Sequence, residues 1–360
     1  MKTLLVGLLA VSLIPSLALS AMIVEGVNYK GWKCVVMKNE TTEVFAAPEL
    51  GGRIIQYRVN GQDWLWVNEE LAGQVLPVQP KMNMDNWVNY GGDKLWPAPQ
   101  GWDGSPDKWP GPGDHVLDRP WTYRILKKEG AEVQLEMTSS DRDRGGYAGV
   151  QYRRVLTLRD GSNRLDIETF MKNISRRTVN WGIWAVTQMD FSDQGEPRGR
   201  HDWNEEAYLA IPMNPNSRWP EKYHVMFGLA ASWNWQPDYE RNLMIVRYMN
   251  FVGKMVMDVS AGWAAMVDPH KGATYVQRFD YQPGVEYPDG GNFEVWVAGK
   301  GEFVHDNKRR AAPDDPKGRL IEMEILGPQV SLKPGQETSL KSSWEVYPGG
   351  LESVPEFNKR

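Results

Sequence analysis

Apolar and polar residues alternate with a period of two along most of this chain, and good amphipathic helical patterns are scarce. In 132–138, Val133, Leu135 and Met137 alternate with Glu132, Gln134, Glu136 and Thr138. In 164–171, Leu165, Ile167, Thr169 and Met171 alternate with Arg164, Asp166, Glu168 and Phe170. That spacing puts one set of side chains on each face of a half-buried strand. Lys128-Glu129-Gly130 and Arg159-Asp160-Gly161-Ser162-Asn163 read as turns between such strands. Further strands are expected near 32–37, 42–47, 53–59, 121–127, 150–158, 179–190, 225–231, 243–249, 255–260, 263–267, 273–280, 292–298, 319–326 and 338–346, with one short helix near 67–74. The fold class is all-β, and many strands joined by long connections suggest a large sandwich.

Three connections stand out. Residues 96–121 carry Pro97, Pro99, Pro106, Pro110, Pro112 and Pro120 among Trp96, Trp102, Trp109 and Trp121, and residues 192–224 carry His201, Asp202, Trp203, Trp219 and His224. Long ordered loops of this kind often carry function. The third, 300–318, is charged and reads as a solvated excursion. No repeat and no linker divides the chain, so residues 21–360 are expected to form a single domain.

The start of the chain follows another logic. Lys2 precedes an uncharged apolar run from Leu4 to Leu19, with small residues before Ala21. This is the pattern of a secretory signal peptide over residues 1–20, too short for a spanning helix. The expected location is therefore periplasmic or extracellular, with no membrane span after cleavage. Without Lys2 the balance is 40 basic against 46 acidic residues, a net charge of −6. Nucleic acid, which needs a concentrated basic surface, is excluded as a partner. Cys34 is the only cysteine, so no intrachain disulfide forms, and five scattered histidines give no zinc pattern.

The chain holds 17 tryptophans and 14 tyrosines. Indole faces cover the apolar patches of sugar rings, and the ring N–H donates to hydroxyls; a large aromatic core is the alternative for any one of them. Strand parity sharpens the choice. In 320–326, Glu322 and Glu324 share a face opposite Ile321, Met323 and Ile325; in 293–297, Glu294 and Trp296 share a face opposite Phe293, Val295 and Val297. A carboxylate beside an aromatic on a sheet face suits a saccharide, although a solvated face also carries such pairs. Near the first glycine pairs, Arg53, Asp93 and Lys94 can hydrogen-bond ring hydroxyls while Trp96 stacks. Asp289, Glu294 and Glu322 could offer oxygen ligands to calcium, but their spacing does not demand it, and the reading calls for no metal and no cofactor.

Two segments, Gly51-Gly52-Arg53-Ile54 and Asn89-Tyr90-Gly91-Gly92-Asp93-Lys94-Leu95-Trp96-Pro97-Ala98-Pro99, resemble a bacterial family of unknown function among the galactose mutarotase-like (aldose 1-epimerase-like) proteins. Trp184-Ala185-Val186-Thr187-Gln188, Tyr287-Pro288-Asp289-Gly290-Gly291, Glu322-Met323-Glu324-Ile325-Leu326-Gly327-Pro328 and the closing Trp344-Glu345-Val346-Tyr347 agree, so the likeness covers about residues 25–348. It implies a β supersandwich with sugar on the concave face of the larger sheet. The matching segments add Asn89, Tyr90, Trp184, Gln188 and Tyr287 as candidate sugar contacts. Mutarotases use a carboxylate base and histidine acids, and Glu324 matches the base. The strand that normally carries a histidine reads Asn180 to Gln188 with none, and Asp93 stands where some relatives have one. His201 and His224 are the remaining candidates for the acid.

Three readings follow: an exported protein binding a mono- or oligosaccharide, an aldose epimerase-like or other sugar-modifying enzyme with Glu324 as base, and an envelope protein whose tryptophans only pack. The enzyme reading requires His201 or His224 within a sugar ring's width of Glu324.

Overall fold

The structure is a computed structural model that describes residues 20–77, 88–101, 108, 118–193, 200–229, 232–305 and 308–359. The leader, Trp102 and Trp109 therefore lie outside the described residues. Strands dominate, and every helix described is a short 3-10 turn.

Two antiparallel sheets carry the fold. Across the larger one the order is His224–Gly228, Gly253–Met257, Phe293–Val297, Leu320–Leu326, Val179–Asp190, Asp93–Ala98, Arg53–Val59, Thr42–Ala47, Trp32–Lys38, Ala21–Tyr29 and Glu129–Gly130. The smaller runs Trp235–Asp238, Leu243–Val246, Tyr208–Pro212, Trp263–Asp268, Ala273–Phe279, Glu337–Pro348, Leu165–Asn173, Val150–Arg159, Glu132–Thr138 and Thr122–Lys127. The main core lies between them. Met255, Val295, Met323 and Ile325 of the larger sheet join Met137, Leu156, Tyr275 and Trp344 of the smaller in one buried cluster. Burying such side chains is the main stabilising term, at roughly 25 cal/mol per Å² of apolar surface removed from water. A second cluster, including Trp32, Cys34, Phe45, Ile55 and Tyr90, covers the outer face of the larger sheet at its N-terminal half.

Most expected strands are present, and 53–59 and 132–138 match to the residue. The departures have physical reasons. Inside the expected loop 192–224, Tyr208–Pro212 is a strand. Its Leu209 and Ile211 face the main core while Ala210 packs in a separate cluster on the other side, so both faces are apolar and no alternation marks it. The excursion 300–318 contains a hairpin of Gly301–His305 with Lys308–Ala312. The helix expected near 67–74 is one 3-10 turn, Glu69–Leu71, capped by the Asn68 side chain accepting from the Glu70 N–H at 3.1 Å. Asp93–Ala98 is a strand absent from the expected set. Pro97 argues against a central strand, but the ladder toward Arg53–Val59 stops at the Ile54–Asp93 pair, which leaves Pro97 one side with no donor to supply.

Candidate functional site

The segment Asn89 to Trp96 enters the larger sheet through two glycines. Gly91 and Gly92 have φ of +93° and +73°, and a Cβ on either would stand 2.3 Å from the Trp66 carbonyl oxygen or 2.4 Å from that of Ile54. Only glycine fits both conditions. The Asn89 side chain accepts from the Gly91 N–H at 3.2 Å, and the Gly92 N–H donates to the Trp66 carbonyl at 2.9 Å. The turn fixes which way the next two side chains point.

They point to opposite sides. Asp93 lies across from Thr187 and faces the space between the sheets. Its carboxylate accepts from Arg154 of the smaller sheet at 2.5 Å and from the Thr187 hydroxyl at 2.8 Å. Both members of the ion pair are about 1% exposed. Burial raises the Asp93 carboxyl, and Arg154 opposes that rise. Asp93, expected among the sugar contacts, therefore belongs to an inter-sheet network. Lys94, one residue on, faces outward with Trp96. Its ammonium lies 4.1 Å from the Trp96 ring centroid and 3.5 Å from a Glu322 oxygen. Burial lowers Lys94 to about 8 despite Glu322.

On that outer face, register brings the expected residues together. Trp96 is opposite Trp184, Gln188 opposite Glu322, Glu322 opposite Trp296, and Glu324 opposite Glu294. Four adjacent strands thus present three carboxylates and three indoles to one side. Trp96 and Trp184 meet edge to face at 5.4 Å, and the Gln188 amide donates to Glu322 at 2.5 Å.

The centre of the face is a triad that the sequence did not reveal. Lys254, on the next strand, donates to Glu294 at 2.7 Å and to Glu324 at 2.8 Å, and the Trp184 indole N–H donates to the same Glu324 oxygen at 2.7 Å. Lys254 also lies 4.5 Å from the Trp184 ring centroid. Exposure of the three charged side chains is 0–1%. Burial raises both carboxyls against the pull of Lys254; Asp289 adds negative charge beside Glu294, and Glu322 does so beside Glu324. Burial pulls Lys254 down, but its two carboxylates outweigh this and it stays charged. Oε1 of Glu294 and of Glu324 are buried without a hydrogen-bond partner. An unmet buried acceptor costs about 1–3 kcal/mol, so these oxygens are a poor choice for stability alone.

The other expected residues are spread more widely. Arg53 donates to the Gly91 carbonyl at 3.1 Å and lies over the Tyr90 ring at 5.8 Å, both in the glycine turn. The Tyr90 hydroxyl accepts from the Leu76 N–H and its ring packs on Trp32, which makes it a core residue of the outer cluster. The Tyr287 hydroxyl accepts from the Gln282 N–H, and its ring stacks on Tyr281 at 6.2 Å. Trp296, half-buried, meets Phe227 at 5.1 Å and Phe303 at 5.7 Å, both edge-on.

Neither histidine is brought to Glu324. His224 is exposed on the sheet edge, opposite Val256, three strands from Glu324. At about 4.8 Å per strand that is roughly 14 Å. It stacks on Trp219. His201 is exposed and stacked on Trp203 at 4.0 Å, and Trp203 bridges to Ser192 beyond the end of the Val179–Asp190 strand. No group of three or more metal-ligating side chains stands together among the described residues.

A polar cavity of about 560 Å³ is lined by Tyr29, Gln56, Asp63, Trp66, Asp190 and Lys317 among others. Asp190 has the strand parity of Gln188, so the cavity adjoins the far end of the same face.

No protein-family model matches the chain, and no curated protein matches it. Solved structures do. A TPR-domain containing protein from Parabacteroides distasonis aligns over 94% of this chain at 12% identity and a TM-score of 0.55, and the chain spans only 55% of that protein. A galactose mutarotase-like protein from Clostridium acetobutylicum aligns over 91% of this chain and 99% of its own, at 12% identity and a TM-score of 0.53. One from Lactobacillus casei aligns over 87% and 100%, at 13% identity and a TM-score of 0.50. Among the described residues no helix is long and apolar enough to cross a membrane. The chain has the galactose mutarotase-like β-sandwich fold, with Lys254, Glu294 and Glu324 at the centre of the outer face of its larger sheet.

Proposed function

We propose that this chain is an exported carbohydrate-binding protein of the bacterial mutarotase-like family that its Asn89–Pro99 motif resembles. One observation carries the reading: Glu294, Glu322 and Glu324 share a face with Trp96, Trp184 and Trp296 on four adjacent strands. Carboxylates accept from sugar hydroxyls and indoles cover sugar C–H faces. The spare oxygens of Glu294 and Glu324 supply acceptors that no protein group uses. A protein that used its tryptophans for packing alone would gain nothing from them.

Calorimetric titration with a panel of aldoses and short oligosaccharides tests this. At least one should bind, and Glu324→Gln should weaken it about 10-fold or more, since a hydrogen bond to a charged group is worth about 1.5–3 kcal/mol. A panel with no binder sinks the reading. Equal affinity in the variant moves the ligand off this face.

A further inference from the structure

We propose that the apolar groove between the end of the His224–Gly228 strand and the hairpin of Gly301–His305 with Lys308–Ala312 docks an extended acidic segment of a partner protein, added to the hairpin as a third strand. This surface is independent of the sugar reading above.

The groove has a volume of about 430 Å³. Phe227 and Phe303, 6.0 Å apart, line it from its two walls. Leu229 on one wall and Val304 on the other are 67% and 45% exposed. Trp233, 71% exposed, stands beside it, in the turn whose Asn234 amide donates to the carbonyl of the lining residue Phe251 at 2.7 Å. Large apolar side chains left open together at one place mark a contact surface, whereas singly scattered ones do not.

One wall supplies main-chain bonds as well. Gly301–His305 and Lys308–Ala312 pair in a two-stranded sheet separate from the two large ones. Two strands alone make the weakest sheet, and a third strengthens it. The hairpin register runs without interruption from Gly301–Ala312 to His305–Lys308. Gly301–His305 is the strand that lines the groove, and among the described residues its second edge has no ladder partner. The facing strand is a poorer template: its register slips between Val225 and Phe227, and Gly228 has a φ of +89°. It contributes side chains, and the hairpin contributes the edge. An extended segment added there sets every second side chain into the groove.

Charge selects the segment. Lys300, Lys308, Arg309 and Arg310 stand against Glu302 alone among the described residues of 300–312, on a chain whose net charge is −5. Lys300 and Arg309 line the groove itself. Acidic residues alternating with apolar ones suit both features. Two other occupants fit less well. A second copy meeting this patch about a two-fold axis would set the basic hairpins against each other. A membrane with anionic headgroups suits the basic rim and Trp233, but hydrocarbon cannot satisfy the open strand edge.

The test is selection of random short peptides displayed on phage against the full chain, followed by fluorescence anisotropy with the synthetic winners. The winners should alternate apolar and acidic residues, and their affinity should fall as salt is raised. Leu229→Ser should weaken them about 10-fold, the scale of one newly buried leucine. Arg309→Ala should weaken them up to about 5-fold, as loss of an exposed ion pair does, and Arg309→Glu further. Both side chains are exposed, so thermal unfolding of the variants should match wild type. N-methylation of the alternate peptide nitrogens that face the hairpin should abolish binding, because an added strand needs those donors. No winner, winners that are basic or uncharged, or winners bound equally well by Leu229→Ser overturn the docking site. Tolerance of N-methylation at both alternate sets overturns the added strand. Dimers in sedimentation, or retention on phosphatidylglycerol vesicles that Arg309→Glu abolishes, with no peptide bound, overturn it in favour of a second copy or a membrane.

Discussion

The two sides of the larger sheet hold two buried ionic groups, and they differ in where the spare bonding capacity lies. On the inner side both Asp93 oxygens are used, by Arg154 and Thr187, and the unmet atoms are Arg154 donors locked between the sheets. On the outer side the donors converge on single carboxylate oxygens, and the unmet atoms are acceptors on Glu294 and Glu324. Asp93 and Lys94, adjacent in sequence, belong to different sides. The inner group ties one sheet to the other. The outer group stays on one sheet and retains acceptors for a ligand.

The largest effect that would break this comparison is on the inner side. Asp93→Ala leaves Arg154 buried without its counter-charge, and removing one partner of a buried pair costs about 3–5 kcal/mol. Urea unfolding should show that loss. Replacing both residues, Asp93→Leu with Arg154→Met, should recover most of it, because an apolar pair of similar volume needs no counter-charge. If the single variant is as stable as wild type, the inner pair does not hold the sheets together.

How much of this was legible in the sequence follows from the same parity. Glu322 with Glu324, and Glu294 with Trp296, were placed on one face by alternation alone, because their strands put apolar residues on the other face. Arg154 carries a signal in the sequence: it shares the parity of Tyr152, Leu156 and Leu158 in an otherwise apolar row, so it must be paired inside. Lys254 gave none. Between Gly253 and Met255 it looks like any solvated lysine, and its role depends on a register with Phe293–Val297 that no local pattern encodes. Asp93 was misdirected by its neighbours: Pro97 hid the strand, and without a strand its parity against Lys94 could not be assigned.

A middle-sized effect sharpens the outer side. Lys94 is lowered to about 8 by burial, whereas in the unfolded chain it titrates near 10.5. Between those values the unfolded state holds a proton that the folded state lacks, so this group makes stability rise with pH across that window. The slope is at most about 1.4 kcal/mol per pH unit. Below about 8 both states are protonated, and the cost of burying the charge is fully present. The raised carboxyls of Asp93, Glu294 and Glu324 act in the opposite direction as pH climbs, so the wild type must be compared with Lys94→Met. Urea unfolding at pH 7 to 10 should show the difference between the two proteins shifting in favour of wild type above pH 8. A constant difference would mean that Lys94 keeps its ordinary affinity for protons and is more hydrated than its surroundings imply.

The smallest effect concerns the rim, where packing and ligand contact compete for one side chain. Trp296 lies opposite Glu322 and makes edge contacts with Phe227 and Phe303. Such contacts are worth about 0.5–1.5 kcal/mol beyond buried area, so Trp296→Ala should lower stability whatever else Trp296 does. Affinity separates the roles. If the indole also covers a sugar ring, Trp296→Ala should weaken binding by about 1 kcal/mol, roughly 5-fold. Trp296→Phe should recover most of the stability, since a benzyl ring still reaches its aromatic neighbours. It should recover only part of the affinity, because the plane is smaller and the indole N–H is gone. Stability and affinity restored in step would assign Trp296 to the aromatic cluster alone. The sugar face would then end at Glu322, since Trp96 and Trp184 are buried.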